Sequence, residues 1–365
     1  MTDVLAGPTG ADLAGATAAE LEPRLAEHRR ELTGYCYRML GSAFDAEDAV
    51  QDTMVRAWRA LETFEGRASL RSWLYRIATN VCLDSLDGRN RRALPLDLST
   101  APSPPVEASL GRVLPDASWV EPVPDDRVLP ERGDPADLAV QRESIRLAFV
   151  AALQHLPPRQ RAVLVLRDVL RWKADEVAGL LDTTVPAVNS ALQRARATLG
   201  TLDADRPVDP LDAEHRALLE RYVDAFERYD IDGFVALLHE DATQDMPPYA
   251  MWLRGPADIG AWMLGPGREC RGSRLVPLVL NGQPCFAHYR LGAAGHHPFA
   301  LQLLTVAGGR VAGITSFLDT RLFALFGLPE TLPAPEDGPE DQGSGVSSSS
   351  SETSHSRVAA AGSRA

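Results

Sequence analysis

Residues 45–61 read DAEDAVQDTMVRAWRAL, and residues 180–199 read LLDTTVPAVNSALQRARATL. In the first stretch Ala46, Ala49, Val50, Thr53, Met54, Ala57, Trp58 and Leu61 fall on one stripe of a helix with a 3.6-residue period. Asp45 suits the N-cap, and Glu47 and Asp48 occupy the first turn, where the helix dipole favours acids. The opposite face carries Asp48, Gln51, Asp52, Arg56 and Arg59, which is either a solvated face or a docking surface. In the second stretch a short helix ends at the turn Asp182-Thr183-Thr184 and another begins. Thr184 can cap it, and Pro186 is tolerated in the first turn because an N–H there has no intrahelical partner. Val185, Val188, Leu192, Ala195 and Leu199 share one side; Thr184, Ala187, Asn189, Ser190, Gln193, Arg194 and Arg196 share the other, which holds no acid. Helix, tight turn and a helix with a polar, basic outer face form the helix-turn-helix pattern, whose second helix enters the DNA major groove. The competing reading is a plain helical hairpin with a solvated face.

Outward from these stretches, a helix starting at Ser69 turns Leu70, Trp73, Leu74, Ile77, Val81 and Leu86 inward. Its outer face offers Arg71, Arg76 and Asn80, and it exits into Arg89, Arg91 and Arg92. Proline, glycine and serine then divide the chain. Residues 93–136 form a proline-rich acidic linker, residues 201–212 a shorter break, and residues 329–365 a Pro/Glu then Ser tail that cannot bury a core. Three compact pieces remain, 20–92, 137–200 and 213–328. The third opens with a helix bearing Leu218, Leu219, Tyr222, Val223 and Phe226 on one face. Strand-like runs follow from residue 243 onward, with a hairpin at Ala307-Gly308-Gly309, so this piece reads as α+β.

The 365 residues carry 37 basic and 50 acidic side chains, a net charge of −13 that taken whole argues against a nucleic-acid partner. The acids are not spread evenly. Residues 93–140 hold nine acids to three bases, and 201–215 hold five to one. Residues 71–92 instead hold five arginines to two aspartates. The acidity therefore belongs to the connectors, which act as a restraint on DNA binding, and leaves the helical pieces locally basic. No apolar run approaches the ~18 residues of a membrane span, so no membrane partner is expected. The first residues lack the basic start of a secretion signal, and the expected location is cytoplasmic. Cys36, Cys82, Cys270 and Cys285 show no CxxC and no histidine at ligand spacing; reduced thiols are expected, with no metal and no cofactor.

The run from Tyr35 to Arg92 resembles region two of bacterial RNA polymerase sigma factors of the extracytoplasmic-function type, and the run from Leu153 to Leu199 resembles their region four. The resemblance implies a transcription initiation factor, with core RNA polymerase and promoter DNA as partners and no covalent chemistry. Asp48, Gln51, Asp52 and Arg56 match the surface that docks on polymerase. Phe64, Arg67, Ser69, Arg71, Trp73, Arg76, Asn80, Arg91 and Arg92 fall where the family opens and reads the minus-ten element. That work needs basic side chains for phosphates and flat ones for unstacked bases. Tyr75 is a further aromatic candidate, and Trp73 is either platform or core. Thr184, Asn189, Ser190, Gln193, Arg194 and Arg196 would read the minus-thirty-five element, with Asn189, Gln193 and Arg194 able to make bidentate base contacts. By the same resemblance the linker threads toward the polymerase active-site channel, where Asp116, Glu121, Asp125 and Asp126 would imitate nucleic acid.

The third piece is similar to the cone-shaped SnoaL-like fold in YVDAFERYDIDGFVALLHEDATQDMPP and RGPADIGAWM. The expected architecture is two all-α sigma domains, an α+β SnoaL-like cone and a disordered tail. In cyclase and isomerase relatives a cone-lining Asp or His acts as general acid/base. Tyr222, Asp245, Trp252 and His288 are the candidate pocket residues here, with His288 either a pocket group or a satisfied wall histidine. The cone therefore either regulates the sigma domains in cis, with or without a small ligand, or is a catalytic module fused to a DNA-binding one.

Overall fold

The computed structural model describes residues 18–60, 68–201 and 213–333. Four helices open it: α1 (Ala18–Glu27), α2 (Arg29–Leu40), α3 (Ala43–Ala60) and α4 (Leu70–Leu86). α3 starts before Asp45, because the Ser42 hydroxyl accepts the Asp45 N–H at 3.1 Å and does the capping. Asp45 instead receives Arg89 at 2.9 Å and Arg92 at 2.7 Å. Met54 and Ala57 lie inward as the stripe predicts, but Trp58 is 47% exposed, as is Val55 at 42%. Leu61 lies outside the described residues.

The proline-rich segment, expected as a connector with no folded role, is an ordered strap with two short helices, α5 (Pro95–Leu98) and α6 (Asp125–Val128). Val120, Val123 and Val128 are buried in the main core, and Trp119 is buried beside Ala93. Their spacing shows no local period because they pack against other domains and not against their own element. The strap leaves the first domain at Ala93, which bridges to Trp119. It then runs beside the C-terminal domain, where Ser103 N–H donates to Trp252 O at 2.7 Å and Leu114 N–H to Pro248 O at 3.0 Å. It returns to the first domain through Glu121 N–H on Gly41 O at 2.9 Å. Gly34 on α2 makes room for it: a Cβ there would sit 2.5 Å from Val128 O.

The second helical unit comprises α7 (Pro135–Glu143), α8 (Leu147–Leu153), α9 (Pro158–Leu164) running into a π turn at Val165–Val169, α10 (Ala174–Leu180) and α11 (Val185–Leu199). It rests directly on the first. The Tyr75 and Trp172 rings pack together at a tilt of 56°, with centroids 4.9 Å apart. Two buried arginines join the units as well. Arg38 donates to Ser144 Oγ at 2.9 Å and Gln141 O at 3.1 Å, and Arg161 donates to Met39 O and to Gln154 Oε1 at 2.6 Å.

The C-terminal domain has α12 (Ala213–Glu227), α13 (Ile231–Ala236), β1 (Leu238–Asp245), β2 (Trp252–Arg254), α14 (Gly255–Leu264), β3 (Arg274–Leu280), β4 (Gln283–Gly292), β5 (Gly295–Ala307), β6 (Arg310–Phe317) and α15 (Arg321–Leu325). The strands form one sheet in the order β2-β1-β6-β5-β4-β3. β1 begins ahead of Thr243 and pairs in parallel with β6, and the other pairings are antiparallel. Side chains alternate across a sheet, and here both faces are covered. Phe286, Leu304, Val306, Val311 and Ile314 point into the cone with Tyr222, Phe226 and Phe234. Cys285, Ala287, Tyr289, Leu301, Leu303 and Phe317 point the other way and share one core with the two helical units.

The tip of the β3–β4 hairpin fixes this docking. Asn281 and Gly282 both adopt positive φ, 54° and 67°, as a two-residue hairpin turn requires. Asn281 is fully buried: its Oδ1 accepts Val123 N–H at 2.9 Å, and its Nδ2 donates to Tyr37 Oη and to Ile145 O, each at 2.6 Å. One amide thus joins the first domain, the strap and the second domain. Asn281→Ala orphans the Val123 N–H and the Ile145 carbonyl, each worth about 1–3 kcal/mol when buried unsatisfied. A stability loss of about 2–6 kcal/mol is expected in denaturant titration; a loss under about 1 kcal/mol would show that the hairpin tip does not hold the units together.

Candidate nucleic-acid interface

The outer face of α3 is open: Asp48, Gln51, Asp52 and Arg56 are all exposed, beside Val55 and Trp58. Arg56 reaches Asp84 at 3.2 Å, an exposed pair that water screens. The helical stripe placed Trp58 inward, but among the described residues it is left 47% exposed.

The minus-ten set divides. Phe64 and Arg67 lie outside the described residues. Ser69 caps α4, its hydroxyl accepting Ser72 N–H at 3.1 Å. Arg76 and Asn80 are exposed, while Trp73 is half-buried against the main core. Tyr75 is no platform: it is fully buried, and its hydroxyl donates to Glu31 at 3.2 Å. Arg71 sits where the two units meet, its Nε donating to Glu31 at 2.8 Å and its guanidinium 5.1 Å from the Trp172 ring. Burial raises the Glu31 carboxyl, but hydrogen bonds from His28 and Arg71 outweigh it and leave the group below its ordinary value. Arg91 lies against the His155 ring, 3.0 Å from Nε2, and burial with that neighbouring charge lowers the imidazole pKa. Arg92 departs most from expectation. It is buried, ion-paired to Asp45 at 2.7 Å, and donates to the Asp116 and Trp119 carbonyls at 2.9 and 2.6 Å, so it ties the strap down and offers nothing to a phosphate in this arrangement.

The minus-thirty-five set sits as a helix-turn-helix requires. Asp182 turns the chain at φ 51°, and Thr184 caps α11 by accepting Ala187 N–H at 3.3 Å. Val188, Leu192 and Ala195 are buried beneath, while Val185, expected inward, is 38% exposed at the helix start. Asn189, Ser190, Gln193, Arg194 and Arg196 all face outward. Arg194 donates to Ser190 Oγ at 2.6 Å, and Arg196 forks onto both Asp168 oxygens at 2.6 and 2.8 Å.

The four pocket candidates do not converge. His288 is inside the cone between Phe226 and Phe299, with ring centroids at 5.1 and 5.0 Å. Both its nitrogens are engaged, Nε2 with Ser273 Oγ at 2.8 Å and Nδ1 with Gln302 Nε2 at 3.2 Å, and Gln302 Oε1 accepts the Tyr222 hydroxyl at 3.2 Å. Burial, then the Arg290 charge, pushes the imidazole down to about 3, so it stays neutral. Asp245 is on the opposite face of the sheet, because it alternates with Ala242, Gln244 and Met246 along β1. Trp252 belongs to the strap contact, its Nε1 donating to Ser99 O at 3.1 Å. The linker acids differ. Asp116 is exposed and pairs with Arg321 at 2.5 Å, Asp125 is partly buried and accepts Gly282 N–H at 2.7 Å, Glu121 is buried against Ser42, and Asp126 is exposed.

Burial pushes Asp245 up to about 8 and Glu121 up to about 7, against hydrogen bonds from Thr315 and Ser42 that lower them. An unfolded chain releases both protons near pH 4, so the folded form alone holds them above that. Their stabilising effect is full below pH about 4 and is lost as pH rises through 7–8. The midpoint of denaturation is therefore expected to fall from pH 5 to pH 8. The double variant Glu121→Gln with Asp245→Asn should flatten that slope, and an unchanged slope would remove these two carboxyls as its source.

Residues 25–92 match the Sigma-70 region 2 family, residues 146–199 the Sigma-70 region 4 family, and residues 219–314 the SnoaL-like domain. The chain is 47% identical over 334 residues to the ECF RNA polymerase sigma factor SigG of Mycobacterium tuberculosis, covering 90% of this chain and 89% of that one. It is 27% identical over 319 residues to the ECF sigma factor SigJ of the same organism, covering 84% of this chain and 94% of that one. The crystal structure of SigJ shares the fold at a TM-score of 0.54 and 22% identity, over 85% of this chain and all of that one, 100%.

Proposed function

The chain belongs to the extracytoplasmic-function sigma factors of bacterial RNA polymerase, and we propose that its SnoaL-like domain holds the two promoter-reading domains together in a closed pairing that polymerase must open. A sigma factor binds core RNA polymerase and directs it to promoter DNA, which places this one in the cytoplasm beside its enzyme. Asp48, Gln51, Asp52 and Arg56, with Val55 and Trp58, form the polymerase face. Arg76 and Asn80, joined by Arg71 once it leaves Glu31, serve the minus-ten element, and the outer face of α11 serves the minus-thirty-five.

The observation that carries the reading is the 4.9 Å contact between Tyr75 and Trp172. The two promoter elements lie roughly 25 base pairs apart, about 85 Å at ~3.4 Å per step. Two domains in van der Waals contact cannot reach both at once. Initiation therefore requires their separation, and the shared core, the strap and Asn281 all oppose it. A second reading, in which the cone catalyses a reaction, finds little support. Its interior is filled by Tyr222, Phe226, Phe234 and Phe286, and among the described residues His288 has both nitrogens engaged by Ser273 and Gln302 and bonds to no carboxylate.

Run-off transcription by core polymerase with the full-length Asn281→Ala chain should rise several-fold over wild type, because loosened docking raises the open population. Equal output from a variant whose docking is measurably weakened would overturn the restraint. Arg194→Ala should weaken binding to a promoter duplex by about 1–3 kcal/mol, roughly 5- to 150-fold, in a fluorescence anisotropy titration. A loss that is uniform across all sequences would assign Arg194 to phosphate and not to a base.

A further inference from the structure

The described chain ends against an arginine-rich loop. Between α14 and β3, residues 266–274 read PGRECRGSR, with Arg268, Arg271 and Arg274 exposed and Glu269 the one acid. Two carboxylates of the neighbourhood are already engaged. Glu269 holds Arg290 at 2.9 Å, and Glu227 accepts Leu275 N–H at 2.8 Å and Arg274 at 3.4 Å. Arg271 lies 4.6 Å from the Tyr229 ring centroid, a contact that orients its guanidinium without neutralising it. Among the described residues, neither Arg268 nor Arg271 has an ion-pair partner.

The same loop anchors residues 332–333. His296 on β5 pairs with Leu332 through two backbone hydrogen bonds of 2.9 Å. Its ring lies with Nε2 2.9 Å from Gly272 O and Nδ1 3.2 Å from Pro333 O. One imidazole therefore separates Pro333 from the backbone between Arg271 and Arg274. The sequence continues APEDGPEDQ, so Glu336, Asp337, Glu340 and Asp341 come within eight residues of Pro333, and no arginine or lysine intervenes before Arg357. A fully extended chain gains about 3.3–3.6 Å per residue, which keeps Glu336 within about 11 Å of Pro333 and Asp341 within about 29 Å. One exposed ion pair contributes little. A short tether changes the balance, because it holds the two charge clusters at an effective concentration in the millimolar range and lets several pairs act together.

We propose that the acidic segment 336–341 docks on the loop of Arg268, Arg271 and Arg274 as an intramolecular cap. The contact is electrostatic, and no covalent step is involved. It neutralises an exposed cationic patch that DNA phosphates could otherwise occupy, and so leaves promoter DNA to the two helical units. That consequence rests on the promoter-reading role given above; the docking itself does not.

The test uses full-length protein without polymerase or DNA, so that its failure is separate from failure of the restraint. A zero-length carbodiimide joins a carboxylate to an amine only where the two already touch, and Lys173 is the only lysine of the chain. In Arg271→Lys the introduced amine should couple to the 336–341 segment, in a yield that is independent of protein concentration. That yield should drop several-fold at about 0.5 M salt, where the screening length is ~4 Å. Exposed Lys173 and an Arg194→Lys chain, both on the second helical unit, are the controls. Coupling confined to Glu227 and Glu269, a yield that rises with protein concentration, or equal coupling of the segment to either control would each overturn the proposal. A Glu-specific protease gives an independent reading at the bonds after Glu336 and Glu340. Cleavage there at low salt should be several-fold faster in the triple variant Arg268→Ser, Arg271→Ser, Arg274→Ser than in wild type, and equal in the two at high salt. Equal rates at low salt would show that the arginine loop does not hold the segment.

Discussion

A single buried amide holds the architecture together. Asn281 sits at a hairpin tip, in a left-handed conformation that asparagine tolerates better than most side chains, and three of its four side-chain hydrogen-bonding positions are used on three different parts of the chain. Around it the bonds are reciprocal. The Asn281 N–H returns to Val123 O at 3.0 Å, Gly282 N–H reaches Asp125 at 2.7 Å, and Tyr37, which accepts from Asn281, donates onward to Glu121 O at 2.7 Å. Such a network has value only when complete, since each member is buried and losing one leaves the others unpaired. The hairpin therefore either seats fully or leaves fully, which is the behaviour expected of a two-state latch.

The sheet extends the latch into a surface. In a free-standing cone one face of the sheet covers the interior and the other meets solvent. Here β4 is buried along most of its length on both faces, with Cys285, Ala287 and Tyr289 set against the sigma domains. An exposed sheet face of that composition would be an adhesive patch, so its apolar character makes sense only with the helical units in place. The cone interior meanwhile is occupied by its own aromatics. What distinguishes this domain from a ligand cup is thus which face is filled.

The pieces defined by local periodicity were legible in the sequence. The α3 stripe, the α10–α11 turn with its Thr184 cap, and the Gly308-Gly309 hairpin follow from residue type and spacing alone. Contacts between pieces were not. Trp58 falls on the helical stripe, yet among the described residues it stays about half exposed. Arg38 and Arg161 carry no local signal of burial, yet both are buried with backbone carbonyls as acceptors, and the burial lowers each pKa to about 10. The strap looks structureless because its buried residues answer to partners that are distant in sequence. Asp245 and His288 seemed to share a pocket until strand alternation placed them on opposite faces. One signal was available and went unread: Asn281-Gly282 between two apolar runs is a strong hairpin mark, and it lies at the centre of the docking.

The arginines explain how a closed state can be stable and still yield. Arg71 is held by Glu31, Arg196 by Asp168 and Arg92 by Asp45, so cations suited to phosphate already have protein carboxylates as partners. Exposed pairs such as Arg196 with Asp168 contribute little in water, and a phosphate can replace the carboxylate at small cost. The buried contacts behave differently. Asn281 and the tilted Tyr75–Trp172 pair lose partners if the domains part, and DNA offers them nothing in return. Promoter DNA alone can therefore compete for the rim but not for the joint, and the free energy that opens the joint has to come from a large protein surface. The outer face of α3, with Trp58 exposed on it, is the surface proposed above for that contact.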